Sequence, residues 1–151
     1  MIITGLNDIE DDKPKYINTP QRGLNVAIVD IKENENPKKF LEIVFESIAR
    51  DTKGMIHSDR YYLLDPVKDI NGNIVKKGTK WRLKNLCVAC NLTDADGKLP
   101  DNLETTSLIG KHLTLDLVEE SYISRNGEER TSLKVKNERK IEASVPDNIQ
   151  F

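Results

Sequence analysis

The sequence predicts an all-β fold: a five-stranded barrel carrying one helix between its third and fourth strands. Three observations carry this. Five runs alternate apolar with polar residues or are rich in β-branched ones, two Asn-Gly pairs mark tight turns, and a single segment switches to helical period. No internal repeat and no low-complexity segment interrupts that order.

Residues 1–22 read as an N-terminal arm, because NDIEDDKPKYINTPQR holds two prolines, many charges and little to bury. The domain, 23–140, opens with a strand from Gly23 to Glu33, GLNVAIVDIKE. NENPKK supplies a turn, and FLEIVFESI follows with Leu41, Ile43 and Phe45 on one face and Phe40, Glu42 and Glu46 on the other. The third run is MIHSDRYYLLD, Met55 to Asp65. Behind it, Asn71-Gly72 between two short apolar pairs predicts a β-ribbon with a type I′ turn, carrying Lys68, Lys76 and Lys77. Thr79 is placed as an N-cap, and Leu83, Leu86, Cys87 and Cys90 then fall on one helical face. TDADGKLPDN ends the helix. Leu113, Leu115 and Leu117 alternate with His112, Thr114 and Asp116 in the fourth strand. SRNGEER turns the chain, and Leu133 and Val135 face inward in the fifth, with Ser132, Lys134 and Lys136 outward. The tail, 141–151, is assigned no element.

One helix between the third and fourth of five strands is the order of the oligonucleotide/oligosaccharide-binding (OB) fold, a Greek-key barrel whose open end the helix plugs. The competing arrangement is an open α+β sheet with one covering helix.

Composition excludes several classes. The net charge of −2 gives no overall basic field, so any basic surface is local. No stretch approaches the roughly 18 apolar residues of a membrane span, and MIITGLNDIEDDK lacks a basic-then-apolar leader, so a cytoplasmic protein is expected. Cys87 and Cys90 form a C-x-x-C, but a structural zinc needs four ligands and the two histidines, His57 and His112, are isolated. A redox pair belongs at a helix start, and this one sits near the helix end. Both thiols therefore read as core, and no metal or cofactor is expected. No hydrolase, transferase or phosphate-loop motif is present, and the acids Glu10–Asp12 read as a solvated segment, so no enzyme is expected.

The basic residues are more informative. Arg125, Arg130, Lys134 and Lys136 gather on the last hairpin, and Lys68, Lys76 and Lys77 on the ribbon. Single-strand binding needs such a track together with aromatic platforms. Phe40, Tyr61, Tyr62 and Tyr122 are the candidates, with Arg60 beside them; alternation sends one of Tyr61 and Tyr62 into the core.

YYLLDPVKDINGNIVKKGTKWRLKNLCVACNL and LIGKHLTLDLVEESYISRNGEERTSLKVK, with the upstream TPQRGLNVAIVDIKENENPKKFLEIVFESI, resemble a family of small phage-encoded single-stranded DNA-binding proteins, formerly catalogued as a domain of unknown function. The shared pattern is an aromatic helix start with WRLKNLCVAC, a loop ending in LIGKHLTLDL, and the hairpin YISRNGEERTSLKVK. The resemblance implies the OB barrel and binding of single-stranded DNA without sequence preference. It also implies a role in phage replication or recombination beside a recombinase, in the cytoplasm of the bacterial host. Many such proteins end in an acidic tail tipped by phenylalanine. Phe151 matches the tip, but Asp147 is the sole acid of the last seven residues, a departure from that pattern.

The expectation is thus a non-catalytic single-stranded DNA-binding protein, with room for an oligomer and for a phage recombinase or replication protein as partner. The alternative is a phage accessory protein–protein interaction module without nucleic-acid binding, which the net charge and the sparse aromatics (5%) favour.

Overall fold

The computed structural model describes residues 1–9 and 15–142. The acids Glu10–Asp12, Asp147 and Phe151 lie outside them.

Strands β1 (Gln21–Asn34), β2 (Phe40–Ser47) and β3 (Ile56–Tyr62) form an antiparallel meander. A ribbon of β4 (Val67–Lys68) and β5 (Ile74–Lys76) stands apart, and helix α1 (Lys80–Ala89) follows. Strands β6 (His112–Ile123) and β7 (Glu129–Arg139) make a long hairpin whose first strand pairs back onto β1. The order β3-β2-β1-β6-β7 is antiparallel throughout and curls into a half-barrel.

Strand β1 makes the curl. Its first part pairs with β6 and its second with β2, and the register slips between Gln21 and Leu24 and again between Ile28 and Asp30. Each extra residue bends the strand and adds twist. In β2 the alternation is complete: Leu41, Ile43, Phe45 and Ser47 are buried, and the residues between them are half-exposed. With Leu24, Val26 and Ile28, Leu113, Leu115 and Leu117, and Val135, these residues form one core.

Helix α1 packs on β3 and β7, the two edge strands, and so covers the open side of the half-barrel. Leu86, Cys87, Ala89 and Cys90 are buried there and Leu83 packs against them, the stripe expected from the spacing. Burial raises the Cys87 thiol to about 11 and the Cys90 thiol to about 12, so both are protonated at neutral pH.

Four expectations are corrected. The barrel does not close through backbone: among the described residues no ladder joins β3 to β7, and side chains bridge the gap. The 1–22 segment does contribute to the core, because Ile17 is buried, its N–H donating to the Ile56 carbonyl beside a short parallel bridge at Tyr16. The ribbon turn is not type I′. Gly72 has positive φ but Asn71 does not, and the Asp69 carboxylate accepts the N–H groups of Asn71 and Asn73 to hold a bulged loop instead. The 124–128 turn has the same backbone bonds.

Thr79 occupies the N-cap position without capping α1. Its hydroxyl donates to the Tyr62 carbonyl at 2.6 Å and accepts the Leu64 N–H at 3.0 Å, tying the helix start to the end of β3. Gly78 makes that junction possible. Its φ is +73°, and a Cβ there would strike the Leu64 carbonyl oxygen. Gly78→Ala is therefore expected to cost at least about 1 kcal/mol, read as a lower urea midpoint. Among the described residues no helix is long and apolar enough to cross a membrane.

Candidate nucleic-acid interface

Period two sends Ser58, Arg60 and Tyr62 of β3 to the outer face of the sheet and Asp59 and Tyr61 inward. On β2 the outward partners are Phe40, opposite Tyr62, and Glu42, opposite Arg60. Across the unladdered gap, β7 presents Lys134 and Lys136 outward around the buried Val135. These outer faces and the start of α1 enclose a groove of about 830 Å³.

Buried side chains close the seam beneath it. Asp59 accepts the Val135 N–H through Oδ2 at 2.8 Å and the Arg60 N–H through Oδ1 at 2.8 Å. Arg82 donates to the Arg60 carbonyl at 3.2 Å and the Val135 carbonyl at 3.3 Å, and its guanidinium lies 3.8 Å from Asp59 Oδ2. It also stacks on the Tyr61 ring at 4.6 Å. One aspartate and one arginine thus do what a backbone ladder does between the other strands.

The Tyr62 ring, which lines the groove, meets the Phe40 ring behind it edge to face, centroids 5.3 Å apart. Arg60 lies over Phe40 at 4.6 Å and Lys38 over Tyr62 at 6.0 Å. Half-buried aromatics are thus interleaved with cations on one outer face of the sheet. The β7 wall carries Lys134 and Lys136, the latter paired with Glu120 at 2.8 Å. Both members of that pair are about half exposed, so the pair itself contributes little. The Lys136 hydrogen bond holds the Glu120 carboxyl below the usual range.

The lining is not uniformly basic. Glu42 and Glu120 face the cations, and Glu138 lies partly buried near Arg82. Burial pushes the Glu138 carboxyl above its usual value, an effect Arg82 opposes and Asp59 reinforces. The folded state therefore holds this proton more tightly than the unfolded chain. The destabilisation is full above the raised pKa and fades as pH falls toward the ordinary 4.5. Glu138→Gln is expected to raise the thermal midpoint at pH 7, with the gain shrinking at pH 5.

The sequence-predicted residues divide into four groups. Arg60, Tyr62, Lys134 and Lys136 line the groove, and Phe40 supports its aromatic end. Tyr61 is fully buried, so it belongs to the core, and Tyr62 is the member of the pair at the surface. Tyr122 and Arg130 are cross-strand neighbours farther along the β6–β7 hairpin, reached through a shallow hollow that shares Glu120 and Lys134 with the groove. Arg125 lies in the turn of that hairpin. Lys68 and Lys76 sit on the exposed ribbon away from the groove lining, and Lys77 reaches it by contact with Trp81. Sequence reasoning missed Trp81 and Arg82 as lining residues. The signal for Trp81 was its helical position, about 160° from Leu83 and so opposite the buried stripe. His57 is half-buried, which lowers its pKa, and no metal-binding cluster occurs among the described residues.

No family model matches the chain, and no curated protein matches it.

Proposed function

We propose that the chain is a single-stranded DNA-binding protein of the OB type, binding without sequence preference and without catalysis. The observation that carries this is the interleaved set Phe40, Tyr62, Arg60 and Lys38 at one end of a groove whose far wall holds Lys134 and Lys136. Partly accessible ring faces stack bases of any identity, and flanking cations neutralise phosphates. The strand order, with α1 over the open side, supports the OB assignment, in which the ligand crosses the outer face of the second and third strands. The sequence resemblance supports a phage replication or recombination setting.

Titration of labelled oligo-dT by anisotropy at 50 and 200 mM salt tests the reading. Three to four phosphate contacts predict a log–log slope of about −2 to −3, a loss of roughly 20–50-fold across that interval. Binding that ignores salt, or equal preference for duplex, would sink it.

One observation favours the second reading, a protein–protein interaction module. The ribbon buries nothing and exposes Ile70, Ile74 and Val75. Absence of oligonucleotide binding together with co-purification of a protein partner would favour it.

A further inference from the structure

Trp81 is the chain's one tryptophan, and nothing in the core needs it. It is 43% exposed on the polar side of α1 and lines the groove together with Tyr62 and Arg60. Its ring is turned away from the packing face of α1 and shares the groove with Tyr62 and Arg60 rather than standing alone on the surface.

Its mount is rigid. Thr79 bonds both Tyr62 and Leu64, and Lys80 pairs with Asp65 at 2.6 Å. Gly78 allows the ribbon to leave hard against the Leu64 carbonyl. These contacts fix the first turn of α1 to the end of β3, directly after Tyr62. From the ribbon side, Lys77 Nζ sits 4.4 Å from the indole centroid. A ring and a cation are thus placed together a second time, repeating the chemistry of the Phe40–Tyr62 end at a separate point on the same groove.

We propose that Trp81 is a further base-stacking platform and Lys77 its phosphate contact, carrying the bound strand off the β2–β3 face toward the ribbon. This rests on the single-strand reading above but assigns a second aromatic station that the β2–β3 face does not require. It also gives the ribbon a role: the ribbon positions Lys77, whereas Lys68 and Lys76 lie outside the lining.

Because Trp81 is the sole indole, its emission reports on this station alone. Unlabelled oligo-dT is expected to quench that emission and to shield it from acrylamide, with salt reversing both effects. In parallel anisotropy titrations, Trp81→Ala is expected to weaken binding roughly 5- to 150-fold, while Trp81→Phe keeps most of the affinity. Lys77→Gln is expected to weaken binding and flatten the salt slope by about 0.7. If Trp81→Ala does not fold, as judged by circular dichroism, the wild-type quenching and shielding still decide the matter. Wild-type protein that binds labelled oligo-dT while Trp81 emission and acrylamide access stay unchanged would overturn this station and leave the single-strand reading standing. A wild-type protein that binds no oligo-dT at all would overturn both.

Discussion

Asp59→Ala is expected to lower the thermal midpoint by roughly 6–12 °C and to expose the Val135 amide to hydrogen exchange. The carboxylate is the acceptor for that amide, and Val135 is fully buried. Without it, a buried N–H is left unpaired, which costs about 1–3 kcal/mol. Arg82, three-quarters buried, also loses its counter-charge, and breaking a buried pair from one side adds to the cost. About 3 kcal/mol in total corresponds to that shift for a chain of this length. Elsewhere the sheet is held by backbone ladders that a side-chain change leaves intact, so the loss should be confined to the β3–β7 seam. Asp59→Asn keeps the volume and one acceptor and should fall between wild type and alanine. Exchange spread evenly over all strands, rather than concentrated at β7, would contradict the claim that this side chain closes the half-barrel.

That seam also shows where sequence reading stops. Alternation placed Leu41, Ile43 and Phe45 inward because β2 has one apolar and one polar face, and the two faces are distinguishable residue by residue. The same rule assigns Asp59 to the inner face, but it cannot say that the acid has a partner, because the partner is a backbone N–H on a strand 76 positions away. Ile17 was illegible for a related reason: one apolar residue among charges and prolines has no period. Asn71-Gly72 correctly marked a turn, yet the turn type was set by Asp69, whose carboxylate rewards the bulged loop with two hydrogen bonds. Of the site, the basic hairpin was legible, and alternation showed that one of Tyr61 and Tyr62 is buried but not which, since the two neighbours are the same residue. The joining of Phe40 and Tyr62 to Lys134 and Lys136 was not, because it depends on how far the sheet curls, which β1 sets through its bulges.

Tyr62→Ala is expected to weaken oligo-dT binding by about 5- to 150-fold while leaving the fold intact, because one stacked base is worth about 1–3 kcal/mol and Tyr62 is only partly buried. Phe40→Ala should weaken it less. Phe40 meets the Tyr62 ring at its edge and stacks under Arg60, so its larger effect is on how those two groups are held. The double variant should then fall short of the sum of the two single losses, since removing Tyr62 first leaves Phe40 little to position. Two independent platforms would instead give additive losses. The salt slope separates stacking from charge within the same experiment. Tyr62→Ala lowers affinity at every salt concentration and leaves the slope unchanged, whereas Lys134→Gln flattens it by about 0.7. A Tyr62→Ala variant that binds as wild type at both salt concentrations would remove the aromatic end from the interface and leave only the charged wall.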